Sequence, residues 1–154
     1  MMWMKRNKTV CGIDASMGRI RELAPQINAA TDEANATVMR VEKFLNDECS
    51  VGLPESVVVG KRDSGMSLIY ERIDGKYRIG LRLATTCNVS VIAWPSCERR
   101  HKAWAIVYLP VLLQKIAKHM GETVEVIEQS VGWRRMVLDV PDESRDPAKV
   151  TRKG

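Results

Sequence analysis

The first third of the chain repeats apolar residues at alternating spacings of three and four positions. This pattern predicts an amphipathic helix with one narrow buried stripe that ends near Cys49. Pro25 interrupts the stripe, and proline is tolerated only in the first turn of a helix, so we expect the firm helix to begin near Pro25. Asp14–Ala24 then forms a separate short helix, and the helical segment spans 14–49. The stripe consists of Ile20, Leu23, Ile27, Ala30, Ala34, Thr37, Val41 and Phe44.

The small side chains in this stripe are compatible with two different packing partners. Alanine and threonine stand where a self-sufficient coiled coil would carry leucine or isoleucine, and they allow close approach to a broad surface. The favoured interpretation packs the helix on the chain's own sheet or second helix. The alternative is a homodimeric helix pair. The candidate self-association residues are Ile27, Ala30, Ala34, Val41 and Phe44.

An antiparallel sheet is predicted for residues 56–94. A short β-branched run at Val57–Val59 is followed by two alternating runs, Met66–Ile73 and Lys76–Ala84, which Asp74-Gly75 joins. Asp-Gly between alternating runs indicates a type I′ hairpin, because both central residues need a positive φ. We expect a further strand around Val89–Ala93.

The hairpin register divides the side chains between two faces. Leu68 faces Leu81 on a mostly apolar side, which we expect to form the core. The other side places Glu71 opposite Arg78 and Ser67 opposite Arg82, so we expect it to be solvated and positive.

Helices are predicted for residues 97–131, with Ser96 as the N-cap of the first. Pro110 predicts a kink or a new helix start, and Gly121 separates a last helical segment that begins at Glu122. The fold class is therefore α+β, with an antiparallel sheet of three or four strands covered by a long C-terminal helix and preceded by an N-terminal helical segment. We expect one domain over 1–140 and a disordered tail over 141–154, where charged residues and proline dominate.

Charge is unevenly distributed along the 154 residues, whose net charge is +5. Residues 1–10 alone carry +3, residues 31–55 carry −4, and residues 56–118 carry +7. A positive sheet face and helix start would suit an anionic partner, such as nucleic acid or an acidic protein. Alternatively, the acidic helix lies near the basic sheet or near a symmetry mate and only orients assembly. The candidate anion-binding residues are Lys76, Arg78, Arg82, Arg99, Arg100 and Lys102.

The four cysteines are far apart and form no C-x-x-C pair, so we expect reduced thiols. Cys97 and His101 are four residues apart and would share one helix face, but two further ligands are missing at any usual spacing, so we expect no metal site and no cofactor. The N-terminus has no apolar signal region, and the longest apolar run is shorter than the roughly 18 to 20 residues that cross a bilayer. We expect a cytoplasmic protein without membrane contact.

Catalytic patterns are also missing from the sequence. There is no G-x-S-x-G, and Gly60-Lys61 lacks the glycine and the hydroxyl residue of a phosphate loop. Trp94, Trp104 and Trp133 stand near predicted element ends, where core closure is favoured over an interface role. We therefore expect a non-catalytic binding or adaptor protein that acts through protein–protein contacts and self-associates. The alternative is a nucleic-acid-associated protein that binds phosphates through its basic sheet face.

Overall fold

Two long helices and a four-stranded antiparallel sheet form the main elements of the computed structural model, which describes residues 2–139 and the side chains of residues 10–138. This arrangement confirms the predicted α+β class. The tail predicted for 141–154 lies outside the described residues. Within residues 2–139, no helix combines the length and the apolar character that a bilayer crossing requires.

The elements follow one another with short connections. The helices are α1 (Met2–Lys43), α2 (Arg99–Ala105) and α3 (Leu109–Asp139), and the strands are β1 (Glu55–Val58), β2 (Met66–Ile73), β3 (Lys76–Ala84) and β4 (Val89–Ala93). A π-helical turn, Phe44–Glu48, extends α1, and 3-10 turns at Trp94–Ser96 and Ile106–Tyr108 lead into α2 and α3.

The sheet has the predicted hairpin and register. Asp74 and Gly75 adopt φ values of 52° and 85°, as a type I′ turn requires. Leu68 faces Leu81, and the strands follow in the order β1-β2-β3-β4 with every neighbouring pair antiparallel. Consecutive strands are therefore neighbours throughout, which is the simplest antiparallel topology.

The core lies on the sheet face that was predicted to be apolar. Val57, Leu68, Leu81 and Ile92 form one row across all four strands. The end of α1, the buried Trp94 and the first turns of α3 cover this face; their contributions to the core include Val38, Leu45, Leu109, Leu112 and Ile116. The C-terminal helix therefore packs on the apolar face as expected.

The opposite sheet face is less polar than predicted. Ile69, at its centre, is 0% exposed, and Ile73 is also buried. Ile69 stands opposite Gly80, and a Cβ at Gly80 would lie 3.1 Å from Cδ1 of Ile73. The absent side chain thus leaves room for the backbone carbonyl of Ile92 on β4 and for Ile73. This face therefore combines an apolar centre with charged surroundings.

Helix α1 is longer than predicted: it begins at Met2 rather than at Asp14, and Pro25 does not divide it into two helices. Pro25 is exposed, so the carbonyl of Arg21, which loses its helical donor, can be hydrated. Likewise, Gly121 lies inside a continuous α3, which extends past the predicted end at residue 131 to Asp139. A helical glycine costs about 1 kcal/mol relative to alanine, which a long helix can absorb.

The start of α2 also differs from the prediction. Ser96 belongs to the 3-10 turn, and Glu98 occupies the N-cap position of α2 without a side-chain capping bond. Pro110 lies in the first turn of α3, and α3 follows a 3-10 turn, so the new-start prediction is correct.

Candidate interaction surfaces

The amino-terminal part of α1 carries an exposed apolar stripe. We define the α1 arm as residues 10–33, almost all of which are exposed. Ile20, for example, is 64% exposed. The stripe alternates spacings of three and four residues, which keeps it on one side of a helix. Its members are Val10, Ile13, Met17, Ile20, Ala24 and Ile27.

The same stripe becomes buried further along α1. The alternating spacing continues through Thr31, Ala34, Val38, Val41 and Leu45. Val38 and Leu45 are buried in the core, and Ala34 and Val41 pack against it. One side of α1 thus contacts the chain's own core at its carboxyl end and solvent along the arm.

The five predicted self-association residues therefore have different environments. Ile27, Ala30 and Phe44 are exposed, whereas Ala34 and Val41 pack against the chain's own core. The predicted stripe used Thr37 and Phe44, but the core takes the neighbouring Val38 and Leu45. Either pair of residues continues the three-and-four spacing in the sequence. The core takes Val38 because its side chain buries more apolar surface than that of Thr37.

The carboxyl-terminal part of α3 carries a second exposed apolar surface. We define the α3 arm as residues 121–138, nearly all of which are exposed. The exposed apolar residues of the α3 arm include Val124, Ile127 and Val131, which are spaced three and four positions apart. Trp133 is exposed near the end of the arm. Trp104 is exposed as well, so among these three tryptophans only Trp94 closes the core.

The basic residues predicted to bind anions on the sheet are partly paired within the chain. Nε of Arg78 lies 3.4 Å from Oε1 of Glu42, and Oε2 of Glu42 accepts the backbone N–H of Ile79 at 3.2 Å. Glu71 forms an ion pair with Arg82, its diagonal neighbour, and not with Arg78, which stands opposite it in the register. The cations of both pairs retain about a third of their side-chain exposure.

The basic residues near α2 are also engaged with neighbouring side chains. The guanidinium carbon of Arg100 lies 5.1 Å from the ring centre of Trp104, a cation–π geometry. Lys102 is only 7% exposed, and its Nζ lies 5.9 Å from the ring centre of Trp94. Lys76 and Arg99 are exposed and have no ion-pair partner within the described side chains.

The Cys97 and His101 pair does not have the predicted helical geometry. Cys97 precedes α2, which begins at Arg99, so the two side chains do not occupy one helix face. The thiol of Cys97 is buried and points to the carbonyls of Ile92 and Ala93, at 3.5 and 3.4 Å. Burial raises the pKa of this thiol, although Lys102 opposes the effect. Across residues 10–138, no three side chains of the metal-binding types cluster around one point.

A cleft of about 550 Å³ lies where α1 ends against the hairpin. Its floor includes Tyr70, whose phenol donates a hydrogen bond to Oδ1 of Asn46 at 2.6 Å. Nδ2 of Asn46 donates to the backbone carbonyl of Tyr77 at 2.7 Å. Burial raises the pKa of Tyr70 above its ordinary value of 10.0, against the opposing effect of the Gly52 backbone. Asn46 was not singled out from the sequence, because a lone asparagine at a helix end carries no spacing signal.

A smaller, polar cleft of about 330 Å³ lies between β1 and α3. Nδ1 of His119 is 3.4 Å from Oε2 of Glu55, yet this nitrogen is buried and makes no hydrogen bond to any side chain or backbone group in the described part of the chain. Lys115, also at this cleft, donates from Nζ to the carbonyl of Ser56 at 3.0 Å. A histidine beside a carboxylate is a common acid–base pair, but among the described residues no nucleophilic hydroxyl or thiol lines this cleft.

Comparison with known proteins gives no relationship: no family model, no curated protein and no solved structure matches the chain. Inferences about its function therefore rest on the exposed surfaces of the molecule itself.

Proposed function

We propose that this protein is a non-catalytic binding or adaptor protein that self-associates through the α1 arm. The observation that carries the proposal is the exposed apolar stripe from Val10 to Ile27. A helix in water exposes such a continuous stripe at a cost, and a partner helix would remove it from solvent.

Continuity of the stripe supports a packing role for the arm. Its buried end, at Val38 and Leu45, packs in the core with the same three-and-four spacing. Spacing of this kind suits a helical partner, because knobs of one helix then enter holes of the other. The α3 arm offers a second apolar surface, through which the assembled protein would contact another protein.

The proposal includes a cytoplasmic location. All four cysteines are free thiols, and Cys11, Cys49 and Cys87 are exposed. Exposed thiols suit a reducing compartment. The alternative function, phosphate binding by the basic residues, is less favoured because Arg78 and Arg82 are paired with Glu42 and Glu71.

Light scattering coupled to size-exclusion chromatography tests self-association of the full chain. We expect a mass of twice the 17.3 kDa of one chain at micromolar concentration. Ile20→Glu places a charge in the stripe and should weaken the dimer by about tenfold or more. Ala15→Glu is the matched control, because it adds the same charge to the same arm on the side away from the stripe.

Circular dichroism of both variants should match that of the unchanged protein, since neither position contacts the core. A mass of one chain at every concentration up to the millimolar range would contradict the proposal. An equal loss of dimer in Ile20→Glu and Ala15→Glu would contradict the assignment to the stripe.

A further inference from the structure

We infer that the second copy binds antiparallel along the α1 arm, with a two-fold axis between Gly18 and Arg19. This inference rests on the proposed self-association and names the orientation and register of that contact. It follows from the exposed stripe together with the charges that border it.

Antiparallel pairing brings the apolar layers of the arm together. Met17 of each copy packs against Ile20 of the other, Ile13 against Ala24, and Val10 against Ile27. Every apolar residue of the exposed stripe then has a partner. The three apolar layers end at Ile27, before Ala34, where α1 begins to pack against its own core.

Asp14 and Arg21 border the stripe on the same side and are both exposed. They occupy equivalent heptad positions, each directly after an isoleucine of the stripe. In antiparallel helices such positions face each other across the seam. The register above therefore places Asp14 of each copy beside Arg21 of the other, which makes two equivalent ion pairs.

Other arrangements lack this charge complementarity. Shifting the antiparallel register by one heptad in one direction places Arg21 beside Arg21, and the shift in the other direction places Asp14 beside Asp14. A parallel, in-register pair places Arg21 beside Ser16, and no opposite charges meet along the exposed stripe. Exposed ion pairs add little affinity, but like charges at the seam discriminate between registers.

The orientation determines where the two sheets lie. With a helical rise of 1.5 Å per residue, the two copies of Ala34 are about 45 Å apart in the antiparallel dimer. The two sheets then lie at opposite ends of the helix pair. In a parallel dimer the same residues are about 10 Å apart, and the sheets lie side by side.

Disulfide trapping distinguishes these arrangements in the 154-residue chain, with the exposed Cys11, Cys49 and Cys87 replaced by serine. A Met17→Cys chain mixed with an Ile20→Cys chain should form a mixed disulfide under mild oxidation. Each of these variants alone should cross-link at least tenfold more slowly. Efficient cross-linking of Ile20→Cys alone, in the same background, would show a parallel pair and overturn the inference while leaving self-association intact.

A distance measurement provides an independent readout. A spin label at Ala36→Cys, on the exposed side of α1, should give a distance of about 50 Å between the two copies. A distance near 20 Å would overturn the antiparallel orientation. Arg21→Asp should weaken the dimer, and the double exchange Asp14→Arg with Arg21→Asp should restore it, because the pairs are reversed but kept. A monomeric mass for the unchanged protein would instead reject the proposed function itself.

Discussion

Tyr70 on β2 donates its phenolic hydrogen to Oδ1 of Asn46 in the π-helical turn that ends α1, over 2.6 Å. Tyr70 is 0% exposed, so water cannot replace this acceptor. Asn46 in turn donates to the backbone carbonyl of Tyr77 on β3. One side chain therefore attaches the end of the long helix to both strands of the hairpin.

Asn46→Ala should lower the free energy of unfolding by about 1–3 kcal/mol, because a buried phenol loses its acceptor. Tyr70→Phe is the control: it removes only the phenolic hydroxyl, leaves the partly exposed Asn46 to bind water, and should cost about 1 kcal/mol or less. Urea unfolding followed by circular dichroism measures both. If Asn46→Ala and the unchanged protein have equal free energies of unfolding, this hydrogen bond does not stabilise the fold.

Asn35→Ala should also destabilise the fold by about 1–3 kcal/mol. Oδ1 of Asn35 accepts the indole N–H of Trp94 at 3.0 Å, and Trp94 is only 1% exposed. Asn28→Ala is a matched control, since it removes an exposed asparagine one heptad earlier on the same helix. Urea midpoints compare the two variants, and a larger loss in Asn28→Ala would contradict this role of Asn35.

Stability should fall in alkaline solution through Tyr70. Burial raises the pKa of its phenol above 10.0 in the folded protein. Below pH 10 the phenol is neutral in both states, so its contribution is complete. Above pH 10 the unfolded state ionises first, and stability is lost until the pH passes the folded pKa. Ultraviolet titration should show one of the three tyrosines ionising late, and Tyr70→Phe should remove that step.

Thiol labelling should separate Cys97 from the other cysteines. Cys11, Cys49 and Cys87 are exposed and should react rapidly with an aromatic disulfide reagent at pH 8. Cys97 is buried and its pKa is raised by that burial, so it holds little thiolate and should react only when the protein opens. Mass spectrometry of the labelled peptides identifies each site. Rapid labelling of Cys97 in the folded protein would contradict the packing around β4.

Binding to duplex DNA should be absent from gel-shift assays at near-physiological salt. Of the six basic candidates, only Lys76 and Arg99 are exposed without a paired acid or a stacked ring among the described side chains. Each phosphate contact contributes about 0.9 to the slope of log affinity against log salt. A steep salt dependence that Arg78→Glu reduces would favour the nucleic-acid function over the adaptor function.

Local sequence determined the hairpin and the core face of the sheet. Asp74-Gly75 specifies its own turn, and a two-residue turn leaves one register for the strands on either side. Alternation then decides which side chains share a face. These rules involve residues that are close in the chain, so they can be read without a structure.

Tertiary structure alone decided which α1 residues are buried and which charges are free. Both Thr37 and Val38 fit a helical stripe, and only the docking of α1 on Trp94 and β3 selects Val38. Glu42 reaches Arg78 from 36 positions away in the chain. Contacts between distant segments depend on how the elements pack, and periodicity within one element carries no information about them.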